Sequence, residues 1–430
     1  MNATFMHGNS AIGNEIMERL HLLAQYTEQD GMMTRTYLTP AHRGASGQIA
    51  AWMRDAGMSV RRDAVGNVIG RYEGSDTHAA LLMTGSHFDT VRNGGIYDGL
   101  LGILLPISCI ASWHQQGLRF PFPIEVVAFS EEEGVRFKAP MLGSRAIAGT
   151  FEQRVLKHID DHGVTMLNAM KNADLDPTQI AAAAALPDSI AAFVEVHIEQ
   201  GPVLLNEDLA LGVVTAIAGA TRYMLELTGI AGHAGTVPMT MRHDAAMAAA
   251  EFALYVEQRC SRIPDLVGTI GQWEIPNGAT NVIPGRVVLS LDVRAGEDAE
   301  RLAAIADITA ELDRICVQRD VRSSLKKTYE TSSAVCADWL QQGWYAALER
   351  KGCKSRSLPS GAGHDAMAIA AISPIAMLFV RCGNGGISHN PLETMAMEDA
   401  ALAAEVFMDF VEHFDALGSA KNSALSSRNK

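Results

Sequence analysis

The chain has 430 residues, of which 48% are hydrophobic and 20% charged, with a formal net charge of −14 at pH 7. That length exceeds what one hydrophobic core usually serves, so two domains are expected. The acidic balance excludes nucleic acid and an anionic membrane surface as partners, because neither gains from an acidic protein; an anionic small substrate beside a local arginine stays open.

The N-terminal stretch MNATFMHGNSAIGNE has no basic region followed by an apolar one, so no signal peptide is expected. The six cysteines, at 109, 260, 316, 336, 353 and 382, form no C-x-x-C pair and read as reduced thiols of a cytoplasmic protein. Over the first 75 residues the pattern predicts two helices and a hairpin. Thr39-Pro40 supplies an N-cap and a first-turn proline for a helix through Ile49, Trp52 and Met53. VRRDAVGNVIGRYEG alternates and turns at Gly66-Asn67, as paired strands do. The run LLGILLPISCIASW from Leu100 is too short to span a bilayer and reads as a buried helix.

Four short apolar runs, AALLMTG, PIEVVAFS, AAFVEVHI and IAMLFVRC, follow the logic of buried parallel strands. Each leads into residues that bind metals or move protons: His87, then Glu131-Glu132-Glu133, then His197, and finally GNGGISHN with His389. Ligands of open α/β sheets gather beyond the carboxyl ends of the strands, so the four deliveries can converge on one site. Between 214 and 329 the alternating segments TRYMLELTGI, GTIGQWEI and RVVLSLDVRA, with helical stretches around 243–260 and 297–318, predict a small α+β domain inserted into a larger one. The expected division is a catalytic domain of 1–213 and 330–417, an insert of 214–329, and a disordered polar tail of 418–430.

Mixed imidazole and carboxylate clusters suit zinc, manganese, cobalt or nickel, whereas an all-oxygen set suggests calcium or magnesium. The candidates are His87, Asp98, Glu133, His197 and His389. Five ligands are more than one tetrahedral ion needs, but a bridging carboxylate lets them serve two ions that together activate water near neutral pH. Asp98, after Gly94-Gly95 and ahead of the buried helix, is well placed to bridge. Asp89, two residues beyond His87, can orient the imidazole from behind. In the triple glutamate, alternation keeps neighbours from all facing one point, so one can bind metal while the next takes a proton from water. Singly these features are bland: H-x-D is mostly a surface motif, SEEEG a solvated turn, and His197 a hydrogen-bonded core histidine. Their coincidence at four strand ends favours a metal site.

At these residues the chain resembles, over nearly its whole length, the zinc-dependent hydantoinase/carbamoylase amidase family, which includes allantoate amidohydrolase, N-carbamoyl-L-amino-acid hydrolase and β-ureidopropionase. That family belongs to the larger dinuclear aminoacylase and carboxypeptidase superfamily. The motifs are GSHFDTVRNGGIYDG, AFSEEEGVRF, VEVHIEQGPVL, GHAGTVPM, NVIPG with LDVRA, GAGHDA and GISHNP. The resemblance implies an α/β catalytic domain with a mostly parallel central sheet flanked by helices, plus a smaller α+β lid and dimerisation domain. It implies two divalent ions per subunit, zinc first and manganese, cobalt or nickel as substitutes, with Asp98 bridging. Glu133 and His389 would complete one ion's shell, His87 and His197 the other's, and Glu132 would be the general base. Peptidases of the superfamily commonly carry an acid at the position of His197, so HIEQG points to the carbamoylase branch, with Gln200 on the carbamoyl head. His233, Asn281 and Arg294 match lid positions that reach the neighbouring subunit's active site, so a homodimer is expected. Arg294 offers a fork for a substrate carboxylate, while His233 and Asn281 can donate to a developing oxyanion. His364 of GAGHDA, by spacing alone part of a turn with a capping acid, is placed by likeness at the substrate pocket. The resemblance ranks allantoate first as substrate and an N-carbamoyl-L-amino acid second, with an aminoacylase or peptidase activity more distant. The histidines at 7, 21, 42, 78, 114, 158, 162, 243 and 413 are expected to be ordinary solvated or satisfied residues.

Overall fold

Apolar runs without polar interruption form strands that must be covered on both faces. The computed structural model describes residues 3–76, 78–186 and 188–415, with side chains from residue 11 onward; the expected tail of 418–430 lies outside the described residues. The four runs are the strands Leu81–His87, Ile124–Phe129, Ile190–Ile198 and Ile375–Val380, buried at every position. Leu81–His87 pairs in parallel with Ile124–Phe129 on one side and with Ile190–Ile198 on the other, and Ile375–Val380 continues the parallel set beyond Ile190–Ile198. Antiparallel neighbours flank these four: Val68–Tyr72, paired with Ser59–Arg62, at one side and Leu211–Ile217 at the other.

Period-two alternation divides the sheet's side chains. Ala192, Val194, Val196 and Ile198 join the main core with Leu82, Val126 and Leu378, under the helices Leu101–Gln115, Asp338–Arg350 and Met397–Glu412. Their neighbours Phe193, Glu195 and His197 therefore point to the other face. The helix Pro40–Asp55 begins as its sequence suggests, with the Thr39 side chain accepting from the His42 amide at 3.3 Å and Pro40 in the first turn.

The chain divides into two compact units. One comprises the residues up to Thr215, Cys336–Leu358 and those from His364 onward; the other comprises Ala216–Val335 and Pro359–Gly363. The second unit is an antiparallel sheet in the order Trp273–Glu274, Arg286–Ala295, Gly219–Thr228, Arg322–Thr331, with Val267–Thr269 also on Arg286–Ala295. Arg286–Ala295 alternates buried and half-buried residues, and its buried set packs with the helices Ala245–Cys260 and Asp298–Arg319 in a core of its own. The molecule is thus a mostly parallel α/β sheet flanked by helices together with a separate antiparallel α+β unit. Among the described residues no helix is long and apolar enough to cross a membrane.

Candidate metal centre

From Leu81–His87 the chain passes to Ile124–Phe129 on one flank, and later to Ile190–Ile198 on the other. This reversal of direction creates a crevice beyond the carboxyl ends of Leu81–His87 and Ile190–Ile198, the usual place for a ligand in such a sheet. His87 closes one of these strands and His197 is the penultimate residue of the other. Glu131–Glu133 follow Ile124–Phe129, and His389 follows Ile375–Val380. Asp98 sits in the turn ahead of the helix Leu101–Gln115, where Gly99 is obligatory: its φ is +69°, and a Cβ there would lie 2.6 Å from the His87 ring.

Asp98 is the hub. Its Oδ1 lies 3.4 Å from His87 Nε2 and 3.3 Å from His197 Nε2, while Oδ2 lies 3.2 Å from His389 Nε2, itself 3.6 Å from Glu133 Oε1. His87 Nδ1 meets the Asp89 carbonyl at 3.0 Å and His197 Nδ1 the Ile198 carbonyl at 2.8 Å. Each Nδ1 therefore carries the proton in the neutral ring, and each Nε2 presents a lone pair; the Gly99 amide donating to His197 Nε2 at 3.3 Å agrees with this tautomer. Two lone pairs thus converge on a buried oxygen that lacks a hydrogen-bond donor. That arrangement needs positive charge at its centre. Ligand atoms about 2.1 Å from a tetrahedral cation stand about 3.4 Å apart, which is the spacing seen here. The donor atoms of His87, Asp98 and His197 lie within 4.8 Å of one another, and so do those of Asp98, Glu133 and His389, so Asp98 belongs to both sets. Imidazole with carboxylate is the donor chemistry of divalent transition metals, and the residues fit them.

The bond to Asp98 pushes the His389 imidazole up to about 9. Around this hub other acids crowd: burial and the nearby Asp98 raise Glu133 to about 7, and burial with surrounding carboxylates lifts Glu131 and Glu132 well above their ordinary value. Asp365, fully buried beside Glu195, is pushed up to about 8. Burial and crowding thus raise the proton affinity of these carboxyls, and a cation bound among them would compete with those protons.

The carboxylate of Asp89 does more than face His87. Its Oδ1 accepts the Glu132 amide at 2.9 Å and its Oδ2 the Glu133 amide at 3.0 Å, while the closer partner of the His87 ring is the Asp89 carbonyl. Glu132 and Glu133 fall within one cluster with His87, which Glu131 does not join, in a segment that is a bend rather than a strand. Gln200 donates from Nε2 to Asp98 Oδ2 at 2.8 Å. Both Gln200 and His389 have left-handed backbones, with φ of 56° and 54°, an uncommon conformation that concentrates at functional sites. His364 is buried with its ring 4.5 Å from that of His197.

His233, Asn281 and Arg294 lie in the second unit. His233 and Asn281 come together on one two-stranded ladder, where the Ala234 amide bonds the Asn281 carbonyl at 2.9 Å. Arg294, on the larger sheet, grips Asp292 through Nε at 3.0 Å and Nη2 at 2.9 Å, and donates from Nη1 to the Gly361 carbonyl. Two residues of the centre escaped the sequence. Glu195 lies behind His197, accepting from Ser86 Oγ at 2.7 Å and from the Ala366 amide. Glu393 accepts from the amides of Tyr97 and Asp98. A charged residue in the middle of an apolar strand was the available signal for Glu195; Glu393, in a polar loop, offered none.

The chain matches known proteins over most of its length. The model of the peptidase family M20/M25/M40 matches residues 83–413. An N-carbamoyl-L-amino acid amidohydrolase of Geobacillus stearothermophilus is 40% identical over 92% of this chain and 96% of its own length. Allantoate deiminase 2 of Glycine max is 38% identical over 93% and 89% respectively. The crystal structure of a hydantoinase/carbamoylase family amidase from Burkholderia multivorans superposes with a TM-score of 0.86 at 32% identity, covering 93% of this chain and 97% of that one. With matches of this extent, the chain belongs to the metal-dependent M20/M25/M40 peptidase family and to its hydantoinase/carbamoylase amidases, and is a hydrolase of carbon–nitrogen bonds.

Proposed function

We propose that the enzyme hydrolyses the terminal ureido group of a small carboxylate-bearing molecule, with allantoate as the first-ranked substrate. The observation that carries this is Asp98, with a pair of imidazoles on one oxygen and His389 and the Gln200 amide on the other. Under this reading His87, His197 and Asp98 would hold one divalent cation, and Asp98, Glu133 and His389 would hold a second, zinc ahead of manganese. Such cations, when bound, polarise a carbonyl and acidify water. Glu132, whose backbone amide is held by the Asp89 carboxylate, would then take the proton from the attacking water and deliver it to the departing nitrogen. One water is consumed, and the ureido group leaves as carbon dioxide and ammonia with the free amine.

Gln200 offers an amide to the carbamoyl head. The second unit, read as a lid and dimerisation domain of a homodimer, contributes His233 and Asn281 for the carbonyl oxygen and the planar fork of Arg294 for the carboxylate, within the partner's site. The fork's two bonds to Asp292 are of the kind a substrate carboxylate would make. An N-carbamoyl-L-amino acid is the second reading, favoured by the 40% identical relative of that name. The test is ammonia release from allantoate, N-carbamoyl-L-amino acids and N-carbamoyl-β-alanine, before and after chelation and with divalent metal restored. Turnover of one ureido acid that stops with chelator is the expected result; no turnover of any with metal restored would refute the proposal.

A further inference from the structure

We propose that Glu393 is a positioning residue that sets the distance between Asp98 and His389, and hence the affinity of one of the two cation sites. The inference rests on the reading that Asp98 and His389 share a cation. Glu393 is 4% exposed and lies between two loops. Its Oε1 accepts from the Tyr97 amide at 3.0 Å and the Asp98 amide at 3.2 Å; its Oε2 accepts from Ser388 Oγ at 2.6 Å, next to His389. One carboxylate thereby fastens the backbone of the hub residue to the loop of its imidazole partner, across 295 positions of sequence.

Other contacts keep this carboxylate in place. The Glu393 amide donates to the Asn390 carbonyl at 3.0 Å, closing the turn that follows His389. Gly95 packs directly on the carboxylate, since a Cβ there would fall 2.0 Å from Oε1. The helix Leu101–Gln115 has no side-chain cap of its own, and its hydrogen-bond ladder begins at the Tyr97 carbonyl. The Glu393 carboxylate thus receives amides at the helix entrance, where negative charge is favoured. Asp98 can bridge only if both of its oxygens stay within about 0.5 Å of the required positions, and His389 must hold its left-handed backbone while it does so.

The experiment compares wild type with Glu393→Ala, Glu393→Gln and Gly95→Ala. Each is stripped with chelator, titrated with zinc by calorimetry, and assayed for bound zinc by mass spectrometry after gel filtration. Wild type is expected to bind two ions. Glu393→Ala is expected to bind one of them about 10- to 100-fold more weakly, the usual effect of losing a group that orients a ligand. Gly95→Ala, which drives a methyl group into the carboxylate without changing its charge, should reproduce that loss, and it carries the test if the first variant fails to fold. Glu393→Gln, whose amide can still accept from the two backbone groups and donate to Ser388, should stay within a few-fold of wild type. A merely structural role would lower the urea midpoint and leave both affinities unchanged. Folded Glu393→Ala with two wild-type affinities, or a glutamine variant as weak as the alanine one, overturns the proposal. Wild type that binds no zinc would instead overturn the reading of the site itself.

Discussion

Glu132 shares one cluster with His87 and Glu133 and is nine-tenths buried, with its backbone amide fixed by Asp89. As the proposed general base it can be neutralised without loss of volume: Glu132→Gln should lower kcat by about 10²- to 10⁴-fold while zinc content stays at the wild-type level. Parallel kinetics and metal analysis check both halves. A different kind of residue is His42, expected to be ordinary and found stacked on Phe88 with ring centroids 4.3 Å apart and Nε2 2.6 Å from the Ser130 carbonyl. Burial depresses its pKa from 6.5 to about 4. Below pH 6.5 the unfolded chain takes up a proton that the folded one refuses, so stability is lost as pH falls through that window and no further below pH 4. The loss attributable to this ring is about 3 kcal/mol. Urea denaturation between pH 7 and pH 4 should show it as extra slope in wild type that is missing from His42→Asn. At this scale the sequence exposed His87, Asp98, Glu133, His197 and His389 because imidazoles and acids stand out at the ends of apolar runs. It hid Glu393, because the two partners that tie it to the hub are backbone amides and therefore invisible in residue identity.

Strands were legible where burial on both faces leaves an uninterrupted apolar run, as in the four central strands, and where one-sided burial leaves strict alternation, as in Arg286–Ala295. Arg322–Thr331 was faint because it is an edge strand with no fully buried residue, so its sequence RSSLKKTYET carries little apolar periodicity. The return of Pro359–Gly363 to the second unit had no local signal, since it depends on contacts rather than composition. The buried helix Leu101–Gln115 was clear from its apolar run, but its closeness to the sheet was not. That closeness rests on Gly102, where a Cβ would meet the Val196 carbonyl at 2.4 Å and Ser86 Cβ at 2.8 Å. Both obstacles belong to the strands that carry His197 and His87, and neither is the flexible end of a side chain. Gly102→Ala should therefore destabilise the fold by about 1–3 kcal/mol, as overpacking does. A lower urea midpoint with an unchanged m-value would confirm that the loss is local strain rather than a change in unfolding mechanism.

For the whole molecule, the buried acids are unevenly placed. Asp89, Asp98, Glu131, Glu132, Glu195, Asp365 and Glu393 are all buried carboxyl groups of the first unit, and every candidate metal cluster among the described residues lies there too. Cations that bind the folded site and not the unfolded chain stabilise by mass action, about 2.7 kcal/mol at a hundredfold excess over Kd. The relief is electrostatic and short in reach, because it acts between buried groups a few ångströms apart. The second unit has its own core of Leu225, Leu289, Val293, Phe252 and Ile308, and none of these clusters. Removing metal with a chelator should therefore speed hydrogen exchange in Leu81–His87 and Ile190–Ile198, while the amides of Gly219–Thr228 and Arg286–Ala295 keep their protection. Restoring zinc should reverse the change. Uniform loss of protection in both units would mean that the cations stabilise the fold by some route other than the gathering of ligands around Asp98. No change in either would mean that the buried acids are neutralised by protons, and the two proposed cation sites would fall with that result.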